Sequence, residues 1–258
     1  MHLPVHDSPL DPAAQRAHDR RRLLRAFNFS LAAVLVMAAV YSAQGHFDVE
    51  AWAVTPHAWA GLLGLLTAPL LHGSPEHLGA NAVAVLMLGT LAGSVYPRAT
   101  LRALPLLWLG SGLAAWLLGD ADTHHLGMSG VTHGLGFLVF TLGVLRRDRP
   151  AIAAAMIAFL FYGGMLLTIL PHEPGVSWQS HLGGALGGLL GAWLFRRSDP
   201  LPPRRRYSWE IEEELAAQQA DAERAQFEIE APRDVPVLWQ RPPDARGVVL
   251  RFPQPPRE

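Results

Sequence analysis

Three polar side chains stand at one distance from the arginines that punctuate an otherwise apolar chain. Asn81 lies 17 residues before Arg98, Ser129 17 before Arg146 and His181 15 before Arg196. On helices that rise about 1.5 Å per residue, these spacings are roughly 22–26 Å. A carboxamide, a hydroxyl and an imidazole from three separate segments are thus expected at one level. His77 is one helical turn from Asn81 on the same face and joins them. A serine hydroxyl is a weak nucleophile until a base takes its proton, and a developing oxyanion needs donors already aimed at it. Ser129, His181 and the His77/Asn81 pair are side chains of the types that chemistry requires.

Glycines provide a way to bring them together. Ser129 sits in Gly127-Met128-Ser129-Gly130, with Gly134 and Gly136 further along. His181 opens a run in which Gly184 and Gly188 are four apart on one face. Small residues at that spacing let helix backbones approach closely in lipid.

The positioning elements are read from stretches between charges, each needing about 20 apolar residues to cross the hydrocarbon core. Seven runs qualify: 26–47, 51–75, 77–97, 103–119, 123–145, 150–172 and 174–195. The second holds Pro56, His57, Gly61, Gly64, Pro69 and His72, which would interrupt a lipid-exposed helix and leave backbone groups unpaired. Arginine placement also sets this run apart. Arg16, Arg20–Arg22 and Arg25, then Arg98 and Arg102, then Arg146, Arg147 and Arg149, then Arg196 and Arg197 all fall on one side if six runs cross. The connections around Asp48/Glu50/Glu76, Asp120/Asp122 and Glu173 carry no basic residue. The expected fold is all-α: a polytopic bundle of six transmembrane helices, with a long first outer loop at 46–76 dipping into the membrane and both termini cytoplasmic. The first run is too long, and too poorly followed by small residues, for a cleaved signal peptide.

Three regions are expected: a cytosolic segment at 1–25, the six-span domain at 26–197 and a cytosolic tail at 198–258. The last 60 residues hold 12 of the 22 acidic residues and 10 of the 21 prolines, leaving the rest far more apolar than the 50% average. In the tail, Ser208 caps an expected acidic helix reaching about Phe227, with glutamates 210 and 212–214 at the favourable end of its dipole. The stretch with Pro232, Pro236, Pro242, Pro243 and Pro253 reads as irregular. Cysteine is absent, so there is no disulfide, thiolate nucleophile or thiolate-bound metal. A net charge of −1 argues against a nucleic-acid partner. No cofactor and no metal is called for. All 21 basic residues are arginine, which with the compact six-span plan suggests a bacterial inner membrane.

The Gly-x-Ser-Gly at 127–130, the His-x-x-Gly-x-x-x-Gly at 181–188 and the His-x-x-x-Asn at 77–81 occur in this order across residues 26–197. In this the chain resembles the rhomboid family of intramembrane serine proteases. The resemblance implies a serine–histidine dyad with Ser129 as nucleophile and His181 as base, the oxyanion being held by His77, Asn81 and the Ser129 amide. Gly127, Gly130, His133, Gly184 and Gly188 would pack around the dyad. His72 matches a histidine common just before the 77–81 motif. The expected partners are transmembrane or membrane-anchored protein substrates and the bilayer itself; oligomeric state is not legible. Two departures stand out. A frequent Trp-Arg pair of the first loop is missing, the loop having Trp52 and Trp59 without arginine. Position 133, often a tyrosine packed on the catalytic imidazole, is histidine. The run Ser-Gly-x-x-His-Gly at 129–134 is similar to rhombosortases, thought to process proteins with a Gly-Gly-containing C-terminal anchor.

Each assignment has a plainer counterpart. Ser129 alone would be a small residue at a helix contact, and His77 with Asn81 serves equally as an interhelical brace. His133 ranks first as structural packing. His72, His124, His125 and His172 read as interfacial, Phe159, Phe161 and Tyr162 as lipid or core contacts, and Arg204–Arg206 as a headgroup contact. Against the protease stand a catalytically inert, derlin-like protein that binds membrane helices and a histidine-based metal carrier. The second lacks intramembrane carboxylates and any His-Glu-x-x-His.

Overall fold

The computed structural model describes residues 12–147, 149–171, 175–199 and 208–227. His172, Glu173, Arg204–Arg206 and the prolines from Pro232 onward lie outside the described residues. The chain divides into two compact units, 1–202 and 203–258. In the second, the described segment is one helix, Ser208–Phe227, whose described side chains are all exposed.

The first unit is all-helical among the described residues. Its elements are α1 (Pro12–Ala43), α2 (Pro75–Val95), α3 (Pro97–Leu118), α4 (Ser129–Arg146), α5 (Arg149–Tyr162) and α6 (Trp178–Phe195). The tail helix is α7. Among the described residues, four segments are long and apolar enough to cross a membrane: Arg16–His46, Pro75–Val95, Pro97–Leu118 and Ser129–Arg146. Two further segments complete the bundle. After Tyr162, α5 tightens into a 3₁₀ stretch, Gly163–Ile169, and the 18-residue α6 is diluted by glycines and a polar first turn. The chain is a multi-pass membrane protein. Large apolar side chains lie exposed around its outside, among them Leu117, Leu160, Leu186 and Trp193, as a lipid solvent requires and water would penalise.

Helix ends follow local chemistry. The Ser74 hydroxyl accepts from the His77 amide at 3.1 Å, with Pro75 and Glu76 in the first turn of α2. The start of α3 is capped from far along the chain: the Asp199 carboxylate accepts from the amides of Arg98 and Ala99 at 3.0 and 2.9 Å. Arg146 donates to the Asp199 carbonyl at 2.9 Å, joining the same end of α4 to this cap.

Several features differ from those read from apolar run lengths. α1 starts at Pro12 and carries its arginines within the helix. α4 starts at Ser129, not near Thr123, because Gly127 takes a positive φ of 113° that no helix tolerates. α2 widens into a π turn at Val85–Gly89, which hydropathy cannot reveal.

The first loop, 46–76, is a chain of short helical turns at 50–52, 59–62, 64–67 and 68–70. Without a Trp-Arg pair, it is anchored from other elements. Trp108 and Trp116 of α3 donate their indole N–H groups to the carbonyls of Leu66 and Ala58 at 3.1 and 2.9 Å. Gln44 holds the backbone of His72 reciprocally, donating to its carbonyl at 2.8 Å and accepting from its amide at 2.9 Å. Val54 and His125 exchange backbone bonds of 2.9 Å in an isolated antiparallel bridge. The core lies between the helices, around fully buried Leu88, Leu107, Leu138, Leu142 and Tyr96.

Candidate active site

Helix α6 packs between α3 and α4 through two glycine faces. A Cβ on Gly184 or Gly188 would overlap the carbonyls of Gly130 and Gly134 in α4, and one on Gly183 would overlap the Gly110 carbonyl in α3. Gly187 packs in the same way against Leu106. Backbones therefore touch where side chains would hold them apart. Reading the glycine run by its 184/188 face misses the 183/187 face; its signal lies in the same run, one residue along.

This contact sets Ser129 beside His181. The Ser129 Oγ and His181 Nε2 are 2.9 Å apart, with His181 buried. His181 Nδ1 donates to the Thr168 carbonyl at 3.0 Å, leaving Nε2 as the acceptor that faces the hydroxyl. An imidazole in that tautomer can take a proton from the serine. Ser129 is the first residue of α4, so its N–H is among the donors for which a helix has no internal partner, at the end where the dipole favours negative charge.

His77 and Asn81 converge on the turn that precedes the serine. A Cβ on Gly127 would lie 2.7 Å from His77 Nε2 and 3.8 Å from Asn81 Nδ2, so a glycine here admits the imidazole against the backbone. The Gly127 amide donates to the Ala68 carbonyl at 2.8 Å, fixing this turn to the first loop. Asn81 is buried and donates to the His77 carbonyl at 3.0 Å. His77 Nδ1 lies 3.5 Å from the Gly73 amide as acceptor, which leaves the Nε2 proton on the side of Gly127.

His133 lies flat on His181, with ring centroids 3.8 Å apart and planes 14° from parallel. Of the other histidines, His72 is fully buried, and burial together with the neighbouring His77 ring lowers its pKa to about 4. It stands edge-on to His77 at 5.1 Å. His125 is buried: its Nδ1 is 2.6 Å from the Ser177 hydroxyl, at the start of α6, and its Nε2 is 3.0 Å from the Thr123 hydroxyl. Burial holds its pKa below the usual imidazole range. His124 is exposed and pairs with Glu50 at 3.5 Å. Among the described residues no cluster of histidine and carboxylate side chains is placed to hold a metal ion.

Residues 57–198, more than half of the chain, match the Rhomboid domain. The chain belongs to the rhomboid family. The chain is also similar to uncharacterized proteins of mycobacteria. Those of Mycobacterium tuberculosis and Mycobacterium bovis are 34% identical over 149 residues, covering 55% of this chain and 62% of theirs. That of Mycobacterium leprae is 35% identical over 141 residues, covering 52% of this chain and 56% of its own. The match thus spans about three fifths of these relatives' length.

Proposed function

We propose that this rhomboid is an intramembrane serine endopeptidase that cuts membrane-anchored proteins near the outer face of a bacterial inner membrane, with both its termini in the cytoplasm. The observation that carries this reading is the 2.9 Å contact of Ser129 Oγ with His181 Nε2 between two glycine-packed helices. The Ser129 oxygen attacks the scissile carbonyl carbon as its proton passes to His181 Nε2. The carbonyl oxygen becomes an oxyanion received by the Ser129 amide, His77 and Asn81. As the C–N bond breaks, His181 returns the proton to the leaving amine. Water then attacks the acyl ester, giving its proton to His181, and Ser129 departs with that proton restored.

A peptide bond inside a helix is hydrogen-bonded and shielded, so the substrate must unwind locally to present its carbonyl; helix-breaking residues beside the scissile bond should speed cleavage. The test is cleavage of a purified single-span substrate in proteoliposomes. Wild-type protein should cut it and Ser129→Ala should not. Equal cleavage by both would refute the assignment, and binding of the substrate span without cleavage by either would favour an inert helix-binding rhomboid.

A further inference from the structure

A serine–histidine pair needs something to keep the imidazole in the tautomer that accepts from serine, and among the described residues the group at His181 Nδ1 is a backbone carbonyl. The 3₁₀ stretch after α5 brings Thr168 to both stacked rings. Its carbonyl accepts from His181 Nδ1 at 3.0 Å, and its hydroxyl is 2.8 Å from His133 Nε2. On the other side of the second ring, His133 Nδ1 is 2.7 Å from the Ser129 carbonyl. A carbonyl only accepts, so each Nδ1 carries a proton, and in the neutral rings each Nε2 must accept. The directions then follow one another without conflict. Ser129 Oγ–H donates to His181 Nε2, His181 Nδ1–H to the Thr168 carbonyl, Thr168 Oγ–H to His133 Nε2 and His133 Nδ1–H to the Ser129 carbonyl.

We propose that Thr168 and His133 are positioning residues that close a four-residue hydrogen-bond ring through Ser129 and His181 and hold the His181 proton on Nδ1. The proposal rests on the reading of Ser129 and His181 as nucleophile and base. It gives the histidine at position 133 a task that stacking alone does not need, since a phenyl ring would stack as well. It also places the orienting group on the 3₁₀ stretch, so displacement of 163–169 would release both rings at once.

Replacing the group that orients the histidine in a serine hydrolase costs up to about 10⁴ in kcat when the tautomer is wholly wrong. Here the Thr168 carbonyl survives side-chain substitution, so Thr168→Val should lower kcat about tenfold with KM unchanged, and Thr168→Ser should restore most of it. His133→Phe should cost about the same. Because the four groups act as a unit, the double variant should lose little more than either single one.

A second readout needs no activity. In ¹⁵N-histidine spectra of the full chain, with His181 assigned by its loss in His181→Asn, wild-type His181 should be protonated at Nδ1. Because the bond from the Thr168 hydroxyl to His133 holds that carbonyl against His181, Thr168→Val should loosen it and show a mixture of both tautomers, and Thr168→Ser the wild-type form. A wild-type His181 protonated at Nε2 overturns the ring, as does wild-type kcat in folded Thr168→Val or His133→Phe, or losses that multiply in the double variant. If instead His181 has its proton on Nδ1 and shifts in Thr168→Val, but wild-type protein cleaves no substrate, the ring stands and the protease reading falls.

Discussion

The oxyanion assignment can be tested one side chain at a time. Asn81 is buried, and its Nδ2 would stand 3.8 Å from a Cβ built on Gly127, in the turn before Ser129. Removing one such donor typically costs about 10²–10³ in kcat, so Asn81→Ala should retain measurable cleavage at that reduced rate, whereas a brace-only role would leave kcat unchanged in the folded protein. Polar residues in an apolar background are visible in a sequence because they are costly there, and counting back from arginines sets Asn81, Ser129 and His181 on one level. Thr168 is not visible in this way. It sits in an ordinary apolar run, and half of what it does comes from a backbone carbonyl, which no residue type announces. Gln44 is silent for the same reason, its partners being the amide and carbonyl of His72.

Elements carry the distances that the chemistry uses. Gly184 admits no Cβ without displacing the Gly130 backbone, so Gly184→Ala must push α6 away from α4. Overpacking of this kind typically costs about 1–3 kcal/mol, and a shift of even one ångström between reacting groups costs about 10²-fold in rate. Gly184→Ala should therefore lower cleavage by about that factor, whereas Gly79→Ala, where a methyl meets open space, should leave it unchanged. Equal activity of the two variants would show that helix approach does not set the dyad.

His125 makes the start of α6 sensitive to acid. Its folded pKa lies below the unfolded value of about 6.5 because burial disfavours the charged ring. Its contribution to stability is therefore fully present above that unfolded value and is lost as pH falls below it. The thermal midpoint should drop between about pH 8 and pH 5 in wild type and drop less in His125→Gln. Identical slopes would show that His125 does not contribute to the acid sensitivity of the fold. Run length alone set α4 to begin near Thr123; the positive φ at Gly127 moves its start to Ser129, which puts the serine amide at the helix end.

At the scale of the molecule, the six-run plan was legible because lipid imposes length and charge rules that act on composition. Those rules do not record how a helix starts, widens or tightens, which is why the π turn in α2 and the 3₁₀ stretch after α5 left no trace in hydropathy. The arginine pattern predicts orientation, and the absence of native cysteine makes it simple to measure. A single cysteine at exposed His18 should resist a membrane-impermeant thiol reagent in intact cells, and one at exposed Asp122 should react. The reverse pattern would invert the topology and move the proposed site to the opposite face.

As a protease, the molecule depends on a Ser129 oxygen made nucleophilic by His181. A fluorophosphonate probe reads this directly, because it forms a covalent bond only with an activated hydroxyl. Mass spectrometry of the labelled full-length protein should find the adduct on Ser129, with labelling lost in Ser129→Ala and in His181→Ala. A folded wild-type protein that takes no label, or a Ser129→Ala protein labelled to the same extent, would contradict it.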